Sequence, residues 1–312
     1  MRAVTLESVP SAPAVTDVHT PRPEAGELLV KVAAASLNGI DIATAAGYTQ
    51  AFMEHRFPLV LGQDFAGTVE ALGEGVEGFA VGDAVFGVVL KPYLGAGSLA
   101  QYVTVPAGHG VARIPAGPKA GDAGALGVAG ATALVSLDAV ALAEGETLLI
   151  SGASGGVGSL AVQLATARGV KVIATARPGV QTDFVTGLTG VEVHVVDFTG
   201  DLEGQVRAIV PEGVDAVLHL AGDGAQLAAL LRPGGQIAST TGLTQDDVKG
   251  KDVTVHTIMA NPDAQILTSL AEQVASGALR VPVTATYPLE QAAEALAAFS
   301  AGTPGKIAVS CS

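Results

Sequence analysis

Cysteine is nearly missing: a single one, Cys311, occurs in 312 residues. That excludes a disulfide framework within one chain and any metal site built from several thiolates, and it fits a reducing compartment. Basic residues are also scarce. Sixteen lysines and arginines stand against 30 aspartates and glutamates, a net charge of −14, which opposes nucleic acid or an anionic membrane as a general partner. Any anion the protein binds is held by a local device. The longest uncharged apolar stretch, Ala123 to Leu137, falls short of the ~18 residues that a membrane span needs. Met1 to Pro10 carries one arginine and no apolar run of signal-peptide length. The expectation is a soluble, cytoplasmic protein with no nucleic-acid and no membrane partner.

What is abundant is glycine and apolar side chains. Forty glycines occur without a G-X-Y period, so they mark turns and close backbone approaches rather than a collagen helix. Apolar residues make up 49%, ample for two cores in a chain of about two domain lengths. Residues 1–118 hold short runs (Ala3 to Leu6, Leu28 to Val32, Phe65 to Leu72, Ala84 to Leu90, Leu99 to Val105) bounded by Gly, Pro or Asp. They read as a mostly β, loop-rich unit. From about 120 to 142 the apolar residues fit helical spacing.

Six strand-like runs come next, at Thr147 to Ser151, Lys171 to Thr175, Glu192 to Val196, Val214 to Leu220, Gln236 to Ser239 and Val253 to Thr257, mostly separated by helical stretches. This α/β alternation predicts a Rossmann domain, a doubly wound six-stranded parallel sheet, over residues 119–262. Residues 263–312 offer a helix (Asp263 to Ser276), a strand (Val281 to Thr286), a helix opened by Pro288-Leu289-Glu290, and a closing strand (Ile307 to Val309). They are expected to return to the first domain.

The sharpest local signal is Leu148 to Ser151 followed by Gly152-Ala153-Ser154-Gly155-Gly156-Val157-Gly158 and an apolar helix. A strand, a glycine turn and a helix N-terminus gather free backbone N–H groups and the positive end of a helix dipole, which suits a pyrophosphate. Alanine replaces the first glycine of G-x-G-x-x-G, so the βαβ setting carries the reading. The same residues also match G-x-S-x-G, the nucleophile elbow of a serine hydrolase using Ser154. The later histidines, His194, His219 and His256, lie in or beside strands, and Gly156 and Gly158 are not needed by an elbow, which favours phosphate binding. Nineteen residues after Gly158 stands Arg177, with no Asp or Glu between them. A cation there suits the 2′-phosphate of NADP(H), whereas NAD sites place an acid.

Taken with Leu61 to Gly67, Gly82 to Gly87, Ala131 to Leu134, Leu231 to Gly235 and Gly305 to Val309, the chain resembles the medium-chain dehydrogenase/reductase superfamily, in its zinc-independent quinone oxidoreductase (zeta-crystallin-like) branch. The resemblance implies a GroES-like substrate domain, a Rossmann domain and a homodimer. Where zinc-bearing relatives place a ligand cysteine and a Gly-His-Glu segment, this chain has Ser36 to Asp41 and Gly62-Gln63-Asp64, poor zinc donors, so no metal is expected. The implied reaction is hydride transfer from NADPH to a quinone or to the β-carbon of an α,β-unsaturated carbonyl. An NADP(H)-binding structural or redox-sensing role stays open beside it.

The resemblance further implies catalytic roles for Asn38, Tyr48 and Gln63. It implies cofactor contacts from Asn38, Thr132, Ser154, Gly155, Gly156, Val157, Gly158, Thr175, Arg177, Ala221, Thr241 and Lys306. Asn38-Gly39 is also a turn dipeptide, and Asp41 and Asp64 read as structural. The chain departs from the branch at Gly39 (usually Pro), Ala45 (usually Arg), Tyr48 (one residue early) and Phe198 (more often Tyr).

Overall fold

The computed structural model describes residues 1–312 as two units, Met1–Ala131 with Asn261–Ser312, and Thr132–Ala260. In the first unit, short apolar runs stopped by Gly and Pro become strands of two sheets. A four-stranded sheet runs in the order Ala14–Asp17, Arg2–Leu6, Glu54–Val60, Tyr93–Ala96. The larger sheet runs Val283–Pro288, Lys306–Ser310, Glu27–Ser36, Asp64–Leu72, Ala84–Val88, Val111–Arg113, with Tyr102–Pro106 on the near half of Glu27–Ser36. Val4, Leu28, Val30, Leu37, Phe65, Leu99, Ile307 and Val309 share its core.

Strand Glu27–Ser36 sets the level at which the polar residues of this unit meet. Its last residues pair on one side with the closing strand (Ser36 opposite Ala308) and on the other with Asp64–Leu72 (Ser36 opposite Asp64). Asp64 and Lys306, on the two flanking strands, and Asn38, two residues past Ser36, are thereby brought within two residues of one level, although they are scattered over the whole sequence.

Residues 119–131, expected with the nucleotide domain, belong to the first unit. Helix Ala120–Ala123 packs on strands Glu27–Ser36 and Asp64–Leu72, and Val128 N donates to Asp64 Oδ1 at 2.6 Å. A Cβ on Gly127 would lie 2.9 Å from that carboxylate and from Gly87 O, so only glycine lets the chain pass this close. Two strand limits also differ from the expected ones. Leu99 and Ala100 leave the larger sheet to bond Leu61 and bridge Ala3. The late strand runs on to Pro288, ahead of a 3-10 turn, Leu289–Gln291, and helix Ala292–Ser300; proline is tolerated because this strand is a sheet edge.

In the second unit the six strands Thr147–Ser151, Lys171–Thr175, His194–Val196, Val214–His219, Leu231–Ser239 and Val253–Thr257 are all parallel, and their spatial order is third, second, first, fourth, fifth, sixth. Every residue of Thr147–Ser151 is buried, as a central strand covered on both faces requires. This is the doubly wound Rossmann order, and it reverses between the first and fourth strands, where ligands of such sheets bind beyond the carboxyl ends. The third strand is shorter than expected, because Val191 and Glu192 are exposed ahead of it.

Candidate active site

At the reversal point of the second unit, Gly152 ends the first strand with φ +70° and donates its N–H to Thr175 Oγ1 at 3.0 Å. Gly155 N closes the turn on Gly152 O, and helix Gly156–Ala167 starts at once. Ser159 is the first residue whose N–H closes onto the helix, through Gly155 O. The N–H groups of Gly156, Val157 and Gly158 precede it and are of the kind that a helix leaves unpaired at its N-terminus. A Cβ on Gly158 would meet Gly152 O at 2.3 Å and Ala153 Cα at 2.6 Å. The helix therefore sits against the turn at a distance that only glycine permits, which is the cradle a pyrophosphate needs. Ser154 is half-buried on the same turn. Of the three histidines that a hydrolase would draw on, two are engaged elsewhere, His219 with Ser239, Gly222 and Thr241, and His256 with Gln236, and His194 is exposed at the start of the third strand.

Thr175, expected at the cofactor, is buried and holds the glycine turn. Ser151, which the sequence did not single out, joins the two strands at the reversal point. Its Oγ donates to Leu218 O (3.1 Å) and accepts from Leu220 N (3.0 Å) and Ala221 N (3.3 Å). Ala221 thus lies beside Gly152, while Thr241 is exposed on the turn after the fifth strand. Thr132 is buried on helix Gly127–Val140.

Arg177 is exposed just past the second strand, its guanidinium carbon 5.4 Å from the Phe198 ring centre. An acid absent from the intervening sequence arrives from the third strand. Asp197 is held below the usual carboxylate range, first by the Thr199 hydroxyl and N–H and then by the charge of Arg177. Arg177 is thereby flanked by an aromatic face and a carboxylate.

The first unit contains a buried polar cluster at the level set by its strand register. Lys306, 2% exposed, places its Nζ 3.0 Å from Leu37 O, 2.7 Å from Asn38 Oδ1 and 3.3 Å from Asp64 Oδ2. Three donors meet three acceptors, so the ammonium that the family resemblance places at the cofactor is engaged within this cluster, where it anchors Asn38. The Asn38 amide is oriented by charge, its oxygen on the ammonium and its Nδ2 donating to Asp64 Oδ2 at 3.0 Å. One N–H of the amide remains for another acceptor. Ser36 Oγ also donates to Asp64, at 2.6 Å. Asn38 itself is extended (φ −136°) and heads helix Gly39–Ala45, in place of a tight turn with Gly39.

Asp41 holds that helix start, accepting from Asn38 N at 2.8 Å and Gly62 N at 3.1 Å. Burial pushes Asp41 up from 3.8 to about 7. The Asn38 N–H opposes the rise, the Asp64 charge adds to it, and Lys306 and the Gly62 N–H offset part of it. Burial lowers Lys306, against the pull of Asp64 and then Asp41. Neither Tyr48 nor Gln63 is bonded into this cluster. Tyr48 heads the 3-10 turn Tyr48–Ala51 and is 76% exposed, and Gln63 is half-buried with its backbone O on Val89 N.

No group of three or more His, Cys, Asp or Glu side chains could hold a metal ion. At the positions where zinc ligands are found in zinc-bearing relatives, the Asn38 amide and the Asp64 carboxylate already converge on an ammonium, so this donor set does not fit zinc. The glycine cradle and Arg177, by contrast, fit a phosphorylated dinucleotide. No helix is long and apolar enough to cross a membrane.

Residues 24–116 match the alcohol dehydrogenase GroES-like domain and residues 191–309 the zinc-binding dehydrogenase family. A chloroplast envelope quinone oxidoreductase homolog of Arabidopsis thaliana is 30% identical over 94% of this chain and 92% of its own. A quinone oxidoreductase of Lama guanicoe is 30% identical over 94% and 91%. Among solved structures, mycobacterial Rv1454c complexed with NADPH superposes with a TM-score of 0.88 at 27% identity, covering 99% of this chain and 100% of that one.

Proposed function

We infer the function from the family to which the chain belongs, the medium-chain dehydrogenase/reductase superfamily of oxidoreductases, with quinone oxidoreductase homologues among its relatives. Within it we propose an NADPH-dependent, zinc-free reductase acting on a quinone or on the β-carbon of an α,β-unsaturated carbonyl. The observation that carries this reading is the Lys306 ammonium, 2.7 Å from Asn38 Oδ1 and buried with Asp64. A site whose cation comes from the chain lacks the Lewis acid that would stabilise an alkoxide, and alcohol oxidation is disfavoured. Reduction of an acceptor that is already polarised needs only positioning and a hydrogen bond where negative charge develops.

When bound, NADPH supplies the hydride. The N–H groups of Gly156, Val157 and Gly158 hold the pyrophosphate, and Arg177, backed by Phe198, pairs with the 2′-phosphate. The remaining Asn38 N–H donates to the acceptor oxygen. Its amide cannot rotate away, because the ammonium and carboxylate fix its two ends.

The test is spectrophotometric NADPH oxidation by the purified protein with a panel of quinones, enones and enoyl thioesters, with zinc measured on the same sample. Rapid turnover with sub-stoichiometric zinc is expected, and it also excludes a purely structural or redox-sensing role. Arg177→Ala should lower the preference for NADPH over NADH by about tenfold or more, the range of one charge-assisted contact. Failure to bind NADPH, or an unchanged preference, sinks the reading.

A further inference from the structure

A buried hydrogen-bond hub lies at the carboxyl ends of the fourth and fifth strands of the parallel sheet. His219 is 3% exposed and Ser239 fully buried. Ser239 Oγ accepts the N–H groups of Thr241 (3.3 Å) and Leu243 (3.2 Å). With both lone pairs engaged, its own hydrogen points to His219 Nδ1, 3.0 Å away. That sets the tautomer: Nδ1 accepts, and Nε2 carries the proton. Nε2 faces Gly222 O at 3.1 Å, a group that only accepts, and the Thr241 hydroxyl lies against the ring, 2.9 Å from Nε2 and 3.2 Å from Nδ1. A Cβ on Gly224 would lie 2.7 Å from the ring, so helix Gly224–Ala228 also starts directly against it. One imidazole therefore ties together the turn after the fourth strand and the turn after the fifth.

Both turns lie on the fourth-strand side of the reversal point, and Ala221 N is 3.3 Å from Ser151 Oγ, beneath the glycine loop. In a sheet of this order a dinucleotide straddles the reversal point. Its adenosine ribose lies toward the end of the second strand, where Arg177 stands, and its other half lies across the fourth and fifth strands. We propose that His219 is a positioning residue for the nicotinamide half of the nucleotide site. It holds residues 220–224 and 240–243, and with them Ala221 and Thr241, in the arrangement that receives that half. The inference rests on the NADP(H) reading of the site.

Calorimetric titration with NADPH and with 2′,5′-ADP, which lacks the nicotinamide half, tests it. His219→Leu should weaken NADPH about tenfold or more while 2′,5′-ADP stays within about twofold. Because a buried substitution can impair folding, Thr241→Val, at an exposed position, supplies the second arm: NADPH weakened about threefold, the fragment again unmoved. Equal losses for both ligands, or unchanged NADPH binding in the variants, overturn the role of His219 and leave the NADP(H) reading standing. Wild-type protein that binds neither ligand overturns that reading and the inference together.

Discussion

Removing the Lys306 ammonium is the sharpest perturbation of the polar cluster. In Lys306→Met the Asp64 carboxylate, fully buried, loses its counter-charge, and Leu37 O and Asn38 Oδ1 lose their donor. Breaking a buried pair by deleting one partner costs about 3–5 kcal/mol. Asp64 keeps three donors, Ser36 Oγ, Asn38 Nδ2 and Val128 N, which places the expected loss near the lower end, about 3 kcal/mol. Urea unfolding at neutral pH should show this as a lower midpoint with an unchanged m-value. The double variant Lys306→Met, Asp64→Asn removes both charges and should be less destabilised than the two single losses added together, by about 1–3 kcal/mol. Turnover in Lys306→Met should fall through a lower kcat rather than a weaker NADPH affinity, since Asn38 loses its anchor and the glycine loop does not. A loss below about 1 kcal/mol, or strict additivity in the cycle, would refute the argument that the ammonium is what makes this buried cluster stable.

The remaining expectations concern Asp41 and the glycine cradle. Asp41 rises from 3.8 in the unfolded chain to about 7 in the fold, so between those values the folded state holds a proton that the unfolded state lacks. Its contribution is complete below pH 4 and is lost as pH rises through 7, bounded at about 4 kcal/mol by roughly 1.4 kcal/mol per pH unit. Wild-type stability should therefore decline from pH 4 to 8 relative to Asp41→Asn, read as the difference in urea midpoints; parallel profiles would count against the burial argument. Gly158→Val would drive side-chain atoms into Gly152 O and Ala153. It should reduce NADPH affinity by more than about tenfold and destabilise the fold by about 1–3 kcal/mol, and near wild-type binding would contradict the close packing of helix on turn.

The Rossmann sheet was legible in the sequence because its signals are local. A strand, a glycine turn and an apolar helix lie within about twenty residues, and the six runs keep a regular alternation whose order around the sheet is constrained by right-handed crossovers. The glycine loop was picked out by its βαβ setting and Arg177 by its distance along the chain from Gly158, for the same reason. Contacts that join distant segments could not. Asp197 stands beside Arg177 only because the second and third strands pair, and Ser151 reaches Leu218 O, and His219 reaches Ser239, only across neighbouring strands of the sheet.

Lys306 is the clearest case. The chain shows a lone base in an apolar closing run and a lone acid, Asp64, in another. Their opposite charges were visible, but their meeting was not. Strand register, with Ser36 opposite both Ala308 and Asp64, brings Lys306 to Asn38 and Asp64. A sequence specifies local conformation through periodicity and turn chemistry, whereas pairing between residues more than 200 positions apart is decided by which strands share a sheet and at what level.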